Sequence, residues 1–238
     1  MIKASFERSH GIYGSPRVYD DLVDAQERVS RKRVARIMRV NELVARCVKA
    51  FKRTTISDPT LPYSSNLLKQ DFSADEPNKR WVSDITFIAT DQGWLYLAVV
   101  MDLFSRAIVG WAMDKHIDAE LVSKALSMAL LNRCPTNKLI LHSDRGSQYS
   151  SRDYQEIMES HGLVCSMSGT GNCYDNAAME SFFHSLKTEW TDHYRYETRS
   201  VARASIFEYI EIFYNRQRRH SYANRMAPMQ YEAMVIAA

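Results

Sequence analysis

The amino-acid order predicts an α/β protein: a mixed five-stranded sheet flanked by helices, preceded by a small helical module. Three observations predict it. Between Trp81 and Met113, three apolar runs rich in β-branched and aromatic residues follow one another, separated only by short turn-like breaks, which reads as consecutive antiparallel strands. From about residue 118, helical periodicity and short apolar runs alternate, completing a mixed-sheet plan. Ahead of both lies a basic stretch with helical spacing, set off by a proline-bearing segment.

The helical module is expected over residues 1–53. His10-Gly11-Ile12-Tyr13-Gly14-Ser15-Pro16-Arg17 reads as a turn and then a helix start, with Ser15 as the cap and Pro16 at the first helical position. A second helix begins at Ser30. It places Val34, Ile37 and Met38 on one side and Arg33, Arg36 and Arg39 largely off it. Two short helices with a basic second member suggest a helix-turn-helix, so Lys32, Arg33, Arg36 and Arg39 are candidate DNA contacts. The plainer alternative is a solvated basic face.

Residues 54–80 read as a linker, with Pro59, Pro62 and Pro77 and the run Ser64-Ser65-Asn66. The core is expected over 81–198, with strands at 81–89, 94–102 and 107–113. Asp91-Gln92-Gly93 and Phe104-Ser105-Arg106 are the turns between them. A helix over about 118–133, a strand over 138–143, a helix over 151–161 and a strand over 163–168 follow, then helices. In residues 199–238 a helix carries Val201, Ile206, Tyr209, Ile210 and Phe213 at helical spacing, and a basic tail follows. That tail, Tyr214-Asn215-Arg216-Gln217-Arg218-Arg219-His220, suggests a phosphate clamp in which Arg216 and Arg219 are candidates, or else a solvated helix end.

Composition narrows the class. At 238 residues, 45% hydrophobic and 25% charged, the chain can build an ordinary core. It shows no apolar signal segment, and its longest apolar run, Trp94 to Met101, is far short of a membrane span; a cytoplasmic protein is expected. Cys47, Cys134, Cys165 and Cys173 form no close pair and no zinc-finger spacing, which argues against a metal module or a disulfide framework. Net charge is only +3, but residues 1–53 hold 13 Lys and Arg against 6 Asp and Glu, while the rest holds 18 against 22. A phosphate-attracting front and an acidic site behind would produce that asymmetry.

Three acids stand out: Asp84 within a strand, Asp144 at the end of one, and Glu180 one turn into an amphipathic helix, with 35 residues between the last two. Singly, each has an ordinary reading as a strand-edge charge, a turn cap or a first-turn helix residue. Together they suggest one metal site. Phosphodiester cleavage needs an activated oxygen nucleophile and a neutralised leaving oxygen, and two hard divalent ions held by carboxylates serve both needs. Asp102, after the apolar run, is the nearest competitor on sequence physics alone.

The words His142-Ser143-Asp144-Arg145-Gly146-Ser147-Gln148-Tyr149 and Asn172-Cys173-Tyr174-Asp175-Asn176-Ala177-Ala178-Met179-Glu180-Ser181-Phe182-Phe183, with the spacing of the acids, resemble OrfB-type transposases of the IS3 insertion-sequence family. These belong to the DDE, retroviral-integrase-like superfamily, and the resemblance runs from about Gly11 to Tyr231. It implies a ribonuclease-H-like core, Asp84, Asp144 and Glu180 as metal ligands for two Mg²⁺ (or Mn²⁺) ions, and Asp102 as a hairpin-end residue. The implied chemistry is nicking at the element's 3′ end and attack of that hydroxyl on a second phosphodiester. Implied partners are DNA and an upstream OrfA part, in an oligomer on DNA in the bacterial nucleoid.

Glu180, His184 and Lys187 share one helical face. Retroviral integrases carry lysines at the corresponding +4 and +7 positions, so Lys187 matches as a DNA contact and His184 departs. The zinc site of retroviral integrases is also missing from this cysteine pattern. Residues 166–175 read as a glycine-bearing loop beside the metals, with an Asp175-Asn176 cap on the Glu180 helix. No run sustains three heptads, so specific pairing of two element ends is expected to need the upstream part. Two rivals remain: a tyrosine recombinase, suggested by Arg218, Arg219, His220 and Tyr222, and a catalytically idle DNA-binding regulator.

Overall fold

Strand β1 (Arg80–Thr90), β2 (Gly93–Asp102) and β3 (Ile108–Asp114) form the expected antiparallel meander in the computed structural model, which describes residues 1–46, 64–135, 138–169 and 176–237. The β1–β2 ladder is unbroken from Trp81 opposite Asp102 to Thr90 opposite Gly93. Asp91 and Gln92 make the two-residue turn, and Gly93 accepts a φ of 95° that a side chain would resist. Helix α4 (Ala119–Arg133), capped by the Asp118 carboxylate on the Leu121 amide at 3.0 Å, then crosses back over the sheet. Strand β4 (Ile140–Ser143) pairs parallel to β1, helix α5 (Arg152–Ser160) follows, and β5 (Val164–Met167) pairs parallel to β4. The order β3-β2-β1-β4-β5 is the mixed five-stranded sheet that the alternation of elements predicted.

Strand alternation gives the sheet two buried faces. One carries Trp81, Ala98, Val100 and Val109, covered by Leu121, Ala125 and Ala129 of α4 and by Tyr154 and Met158 of α5. The contact with α4 is close because Gly110 leaves room: a Cβ there would stand 2.3 Å from the Ala125 carbonyl oxygen and 2.7 Å from the Ala129 Cβ. Gly110→Ala should therefore destabilise the protein by about 1–3 kcal/mol or more, the range for overpacking, because the obstruction is helix backbone that cannot rotate away. Chemical denaturation checks it; an unchanged midpoint would mean that α4 is free to shift.

The opposite face carries Val82, Ile88, Leu97 and Val99. It is covered by α6 (Ala177–Ser185) and α7 (Arg199–Phe207) and is continuous with the N-terminal helices α1 (Ile2–Arg8), α2 (Ser15–Asp24) and α3 (Arg31–Val40), through Ile12, Val18, Leu22, Val34 and Met38. The Tyr13 hydroxyl donates to the Gln217 carbonyl at 2.9 Å. The last helix, α8 (Pro228–Ile236), sends Glu232 to Arg133 of α4, with one contact at 3.0 Å, and accepts from Ser105 at 3.1 Å.

Several local expectations are corrected. Helix α1 carried no sequence signal, being seven residues long. Gly14, not Ser15, is the N-cap of α2: its backbone is extended, Ser15 is already helical, and Pro16 sits second, still within the turn whose amide groups have no helical partner. Residues 64–79 of the expected linker lie against the core, with Leu68 buried, Leu67 donating to Ser166 and Arg80 paired with Asp71. Residues 47–63, with Cys47, Pro59 and Pro62, lie outside the described residues, as do 170–175, with Cys173 and Asp175. Asn176 begins α6 without a side-chain cap; its amide instead reaches the Ser83 carbonyl at 3.5 Å. Both α6 and α7 widen into π turns, Leu186–Trp190 and Glu208–Tyr214, which periodicity did not show.

Candidate active site

The β1–β4 ladder ends at Val82 opposite His142. Asp84 lies two residues beyond that point, in the middle of β1, and Asp144 directly follows the last residue of β4, so parallel pairing brings the two carboxylates together just past the end of the shared ladder. Helix α6 buries Met179, Phe182 and Phe183 against the sheet, which leaves Glu180 half-buried in its first turn, facing the same end. The three acids share an electrostatic neighbourhood. Burial, then the charge of Asp144 and more weakly that of Glu180, holds the Asp84 carboxyl well above the usual carboxylate range, against the opposing pull of the Ile85 amide and Lys187. Asp144 is also pushed up by burial, while the Gly146 N–H donating at 2.9 Å opposes the shift.

A carboxyl whose pKa is raised by neighbouring carboxylates, as that of Asp84 is, marks a place short of positive charge. Their oxygens suit a hard divalent ion that retains water or substrate oxygens, rather than a softer metal. Among the described residues no three His, Cys, Asp or Glu side chains are gathered tightly enough to ligate one ion unaided. Asp102 is elsewhere. It is fully buried at the hairpin end, accepting the amides of Asn78 at 2.8 Å and Phe104 at 2.9 Å and the Trp81 indole N–H at 3.4 Å.

Residues without an assigned role complete the site. Tyr149 is buried behind it, its hydroxyl 3.1 Å from that of Ser83, and burial plus the charges of Asp84 and Asp144 hold it well above the ordinary tyrosine range. Arg145 Nε donates to the Ser168 carbonyl at 2.7 Å, tying the ends of β4 and β5 together beside Asp144. His142 is fully buried between the hydroxyls of Ser166 and Ser168, at 2.8 and 3.1 Å. The word running from His142 to Tyr149 contained these residues but not their tasks. Lys187 lies in the π turn, within electrostatic reach of Asp84, with Nζ 4.9 Å from the Phe87 ring centre. His184 is half-buried, and its carbonyl accepts the Thr188 hydroxyl at 2.8 Å.

The candidate DNA contacts divide. Lys32, Arg33, Arg36 and Arg39 all stand exposed along α3, whose buried side is Val34 and Met38 as periodicity predicted. Arg216 is exposed, with Nε on the Glu211 carbonyl at 3.1 Å. Arg219 has a different task from the clamp expected of it. It spans Asp21 at 2.7 Å and Asp24 at 2.5 Å, pinning α2 to the C-terminal segment. Arg218 is buried and bidentate on Glu189 at 2.6 Å for both contacts, and Asn215 exchanges two 2.9 Å hydrogen bonds with the Ile108 backbone. A motif read as a phosphate clamp is thus largely internal structure, because its acidic partners come from α2 and the π turn, more than twenty residues away in sequence.

Residues 74–173 and 180–236 match models of the integrase core domain, and residues 1–51 match that of the HTH-like domain. Over 232 residues the chain is 46% identical to the transposase InsF for insertion sequence IS3A of Escherichia coli (strain K12), covering 98% of this chain and 81% of that protein. The chain belongs to the IS3 family of transposases. A second relative, the insertion element IS600 uncharacterized 31 kDa protein of Shigella sonnei, is 46% identical over 97% of this chain and 85% of its own length. Among solved structures, the simian T-cell lymphotropic virus intasome in complex with PP2A regulatory subunit B56 gamma aligns with a TM-score of 0.56 at 14% identity, covering 98% of this chain and 74% of that one. The HTLV-2 integrase catalytic core domain in complex with magnesium aligns at 0.52 and 16%, covering 66% and 98%.

At these identities the structural likeness shows the fold, a ribonuclease-H-like integrase core. The IS3-family transposase is accordingly an enzyme of the polynucleotidyl transferase kind, acting on DNA. The tyrosine-recombinase rival fails: Arg218 is spent on Glu189, and Tyr222 packs on the Arg106 guanidinium at 4.3 Å.

Proposed function

We propose that Asp84, Asp144 and Glu180 are the catalytic residues of this transposase and hold two divalent cations, Mg²⁺ or Mn²⁺, with DNA bound. The observation that supports this most is the electrostatic coupling of Asp84 to both other acids, contributed by a strand, a strand end and a helix. The ions would activate the attacking oxygen and neutralise the departing 3′ oxygen. The chain's part is to hold three negative charges on rigid elements, with Arg145 and Gly146 orienting the segment that carries Asp144. Lys187 would meet a phosphate beside Asp84, and Lys32, Arg33, Arg36, Arg39 and Arg216 would contact the duplex further out. The reading includes nicking at the element's 3′ end, strand transfer, assembly as an oligomer on DNA in the nucleoid, and reliance on an upstream OrfA part for end recognition.

Purified protein with an end-containing duplex should nick in Mg²⁺ or Mn²⁺ and stop when the ion is chelated. In Ca²⁺ it should bind DNA but turn over poorly, since the larger, looser shell positions oxygens badly. Nicking that persists in a chelator would reject the metal site, and an idle regulator would nick under no condition.

Two further outcomes are expected. Arg33→Ala and Arg36→Ala should each weaken duplex binding and reduce the slope of log affinity against log salt by about 1. An unchanged slope in both would return α3 to a structural role. Lys187→Ala should lower strand joining by roughly tenfold, the loss of one charge-assisted phosphate contact of ~1.5 kcal/mol, with little change in thermal midpoint. Wild-type joining would make it an ordinary surface lysine.

A further inference from the structure

Phe87 and Trp94 are diagonal neighbours across the β1–β2 hairpin, ring centres 4.8 Å apart and edge-on at 74°, and they are 40% and 50% exposed. Large aromatics left this open cost folding stability, and most of the chain's others avoid it. Trp81 and Trp190 are buried, and the Trp111 indole is bonded to Glu211 at 2.7 Å. The exposed pair is also held in place. Arg199 Nε donates to the Trp94 carbonyl at 3.0 Å, and its backbone N–H donates to Gln92 Oε1 at 3.1 Å, fixing the hairpin end against the start of α7.

Cations surround this apolar surface. Lys187 Nζ lies 4.9 Å from the Phe87 ring centre and is at the same time felt by Asp84. Arg195, largely exposed, stands at the hairpin turn with Asp91. Asp84 and Phe87 are three residues apart on β1, about 10 Å along it at ~3.4 Å per residue, and so lie on opposite faces of the sheet, Asp84 with Val82 and Ile88 and Phe87 with Trp81. Lys187, within reach of both, links them round the strand's edge. Past Val82 the edge of β1 turned toward β4 carries no paired strand among the described residues, so a nucleic-acid strand at the triad can reach the aromatic pair as well. Rigid aromatic faces bordered by Lys and Arg, one of them also beside the acidic site, are the chemistry that captures unstacked nucleobases while their phosphates are neutralised.

We infer that Phe87 and Trp94 form a stacking platform for an unpaired base of the DNA next to the phosphodiester being cut or joined. This rests on the reading that DNA passes the Asp84 site. The platform favours frayed or splayed ends over intact duplex, and it discriminates little among bases, because every base presents a π face.

The test uses the full chain carrying Asp84→Asn, so that DNA is bound without being consumed. Two duplexes of one sequence serve as probes, one fully paired and one with three unpaired nucleotides at an end, titrated in Ca²⁺ at one salt concentration with anisotropy as the readout. Adding Trp94→Ala or Phe87→Ala should weaken binding of the forked duplex about tenfold, and of the paired duplex less than about twofold, the scale of losing one base stack. Trp94→Phe should restore most of the difference. Equal losses on both probes, or none on the forked one, would overturn the platform. Sedimentation in which Trp94→Ala turns an oligomer into a monomer, with forked-DNA affinity intact, would assign the face to a second copy of the chain instead. Failure of the unmodified protein to nick in Mg²⁺, scored separately, would count against the metal-site reading while leaving the binding comparison readable.

Discussion

Asp84→Asn should abolish nicking and strand transfer while leaving the metal-free protein as stable as the unmodified chain at pH 7, or more so. The loss of activity should exceed roughly a thousandfold, about 4 kcal/mol of transition-state stabilisation, because a neutral amide of nearly the same volume cannot hold the ion that the carboxylate would. The stability change follows from the raised Asp84 pKa. Between the ordinary carboxylate pKa and the raised folded value, the folded state holds a proton that the unfolded state has released. Stability therefore falls as pH rises through that window, and above it the full cost of the ionised, crowded carboxylate is present. Asparagine removes that cost. The same shift predicts that acidification displaces metal from the unmodified protein at a pH above the usual carboxylate range. Nicking assays and thermal melts at pH 7 with chelator check both halves; retained nicking would remove Asp84 from the site. Asp144→Asn and Glu180→Gln should lose activity in the same way.

Glu189→Ala should cost about 3–5 kcal/mol of folding stability, the scale for removing one partner of a buried ion pair. Glu189 accepts both contacts from buried Arg218 at 2.6 Å and one from Arg17 of α2 at 3.4 Å, so alanine strands two guanidinium groups around a buried hole. The arginines hold the Glu189 carboxyl below its ordinary range despite its burial. Its contribution is therefore fully present above the unfolded carboxylate pKa and is lost as pH falls through the lower folded value. Urea denaturation at several pH values reads both effects. Glu189→Gln should show a smaller loss and a flatter acid limb, since the amide keeps an acceptor but not the charge. A cost below about 1 kcal/mol for the alanine would mean that Arg17 and Arg218 reach water or other acids in the folded state.

Residues 80–167 were legible because their signals are local. Alternation over Trp81–Ala89 and the Asp91-Gln92-Gly93 turn specify a hairpin whatever lies around them. Ser30 and Asp118 cap their helices as side-chain chemistry dictates. The acids were legible from their spacing and flanking words, and the structure brings them within one another's field. Less could be read where a residue's task depends on a distant partner. Arg218 and Arg219 look alike in the chain, and alike to a phosphate-binding tail, yet Glu189 takes one and Asp21 with Asp24 the other. Nothing adjacent to Asn215 shows that its amide completes the edge of β3.

The sequence by itself determined the strands and helices, the hairpins and the three acids proposed as the site, since hydrophobic periodicity, turn chemistry and motif spacing are encoded over a few residues or one word. Only the tertiary structure decided which charges face outward. A guanidinium binds a carboxylate as readily as a phosphate, so its availability for DNA is set by which acids the packing of α2, the π turn and the C-terminal segment brings to it. The same packing left Phe87 and Trp94 in the open: an aromatic residue on a strand is buried or exposed according to whether another element covers that face, and none covers theirs fully.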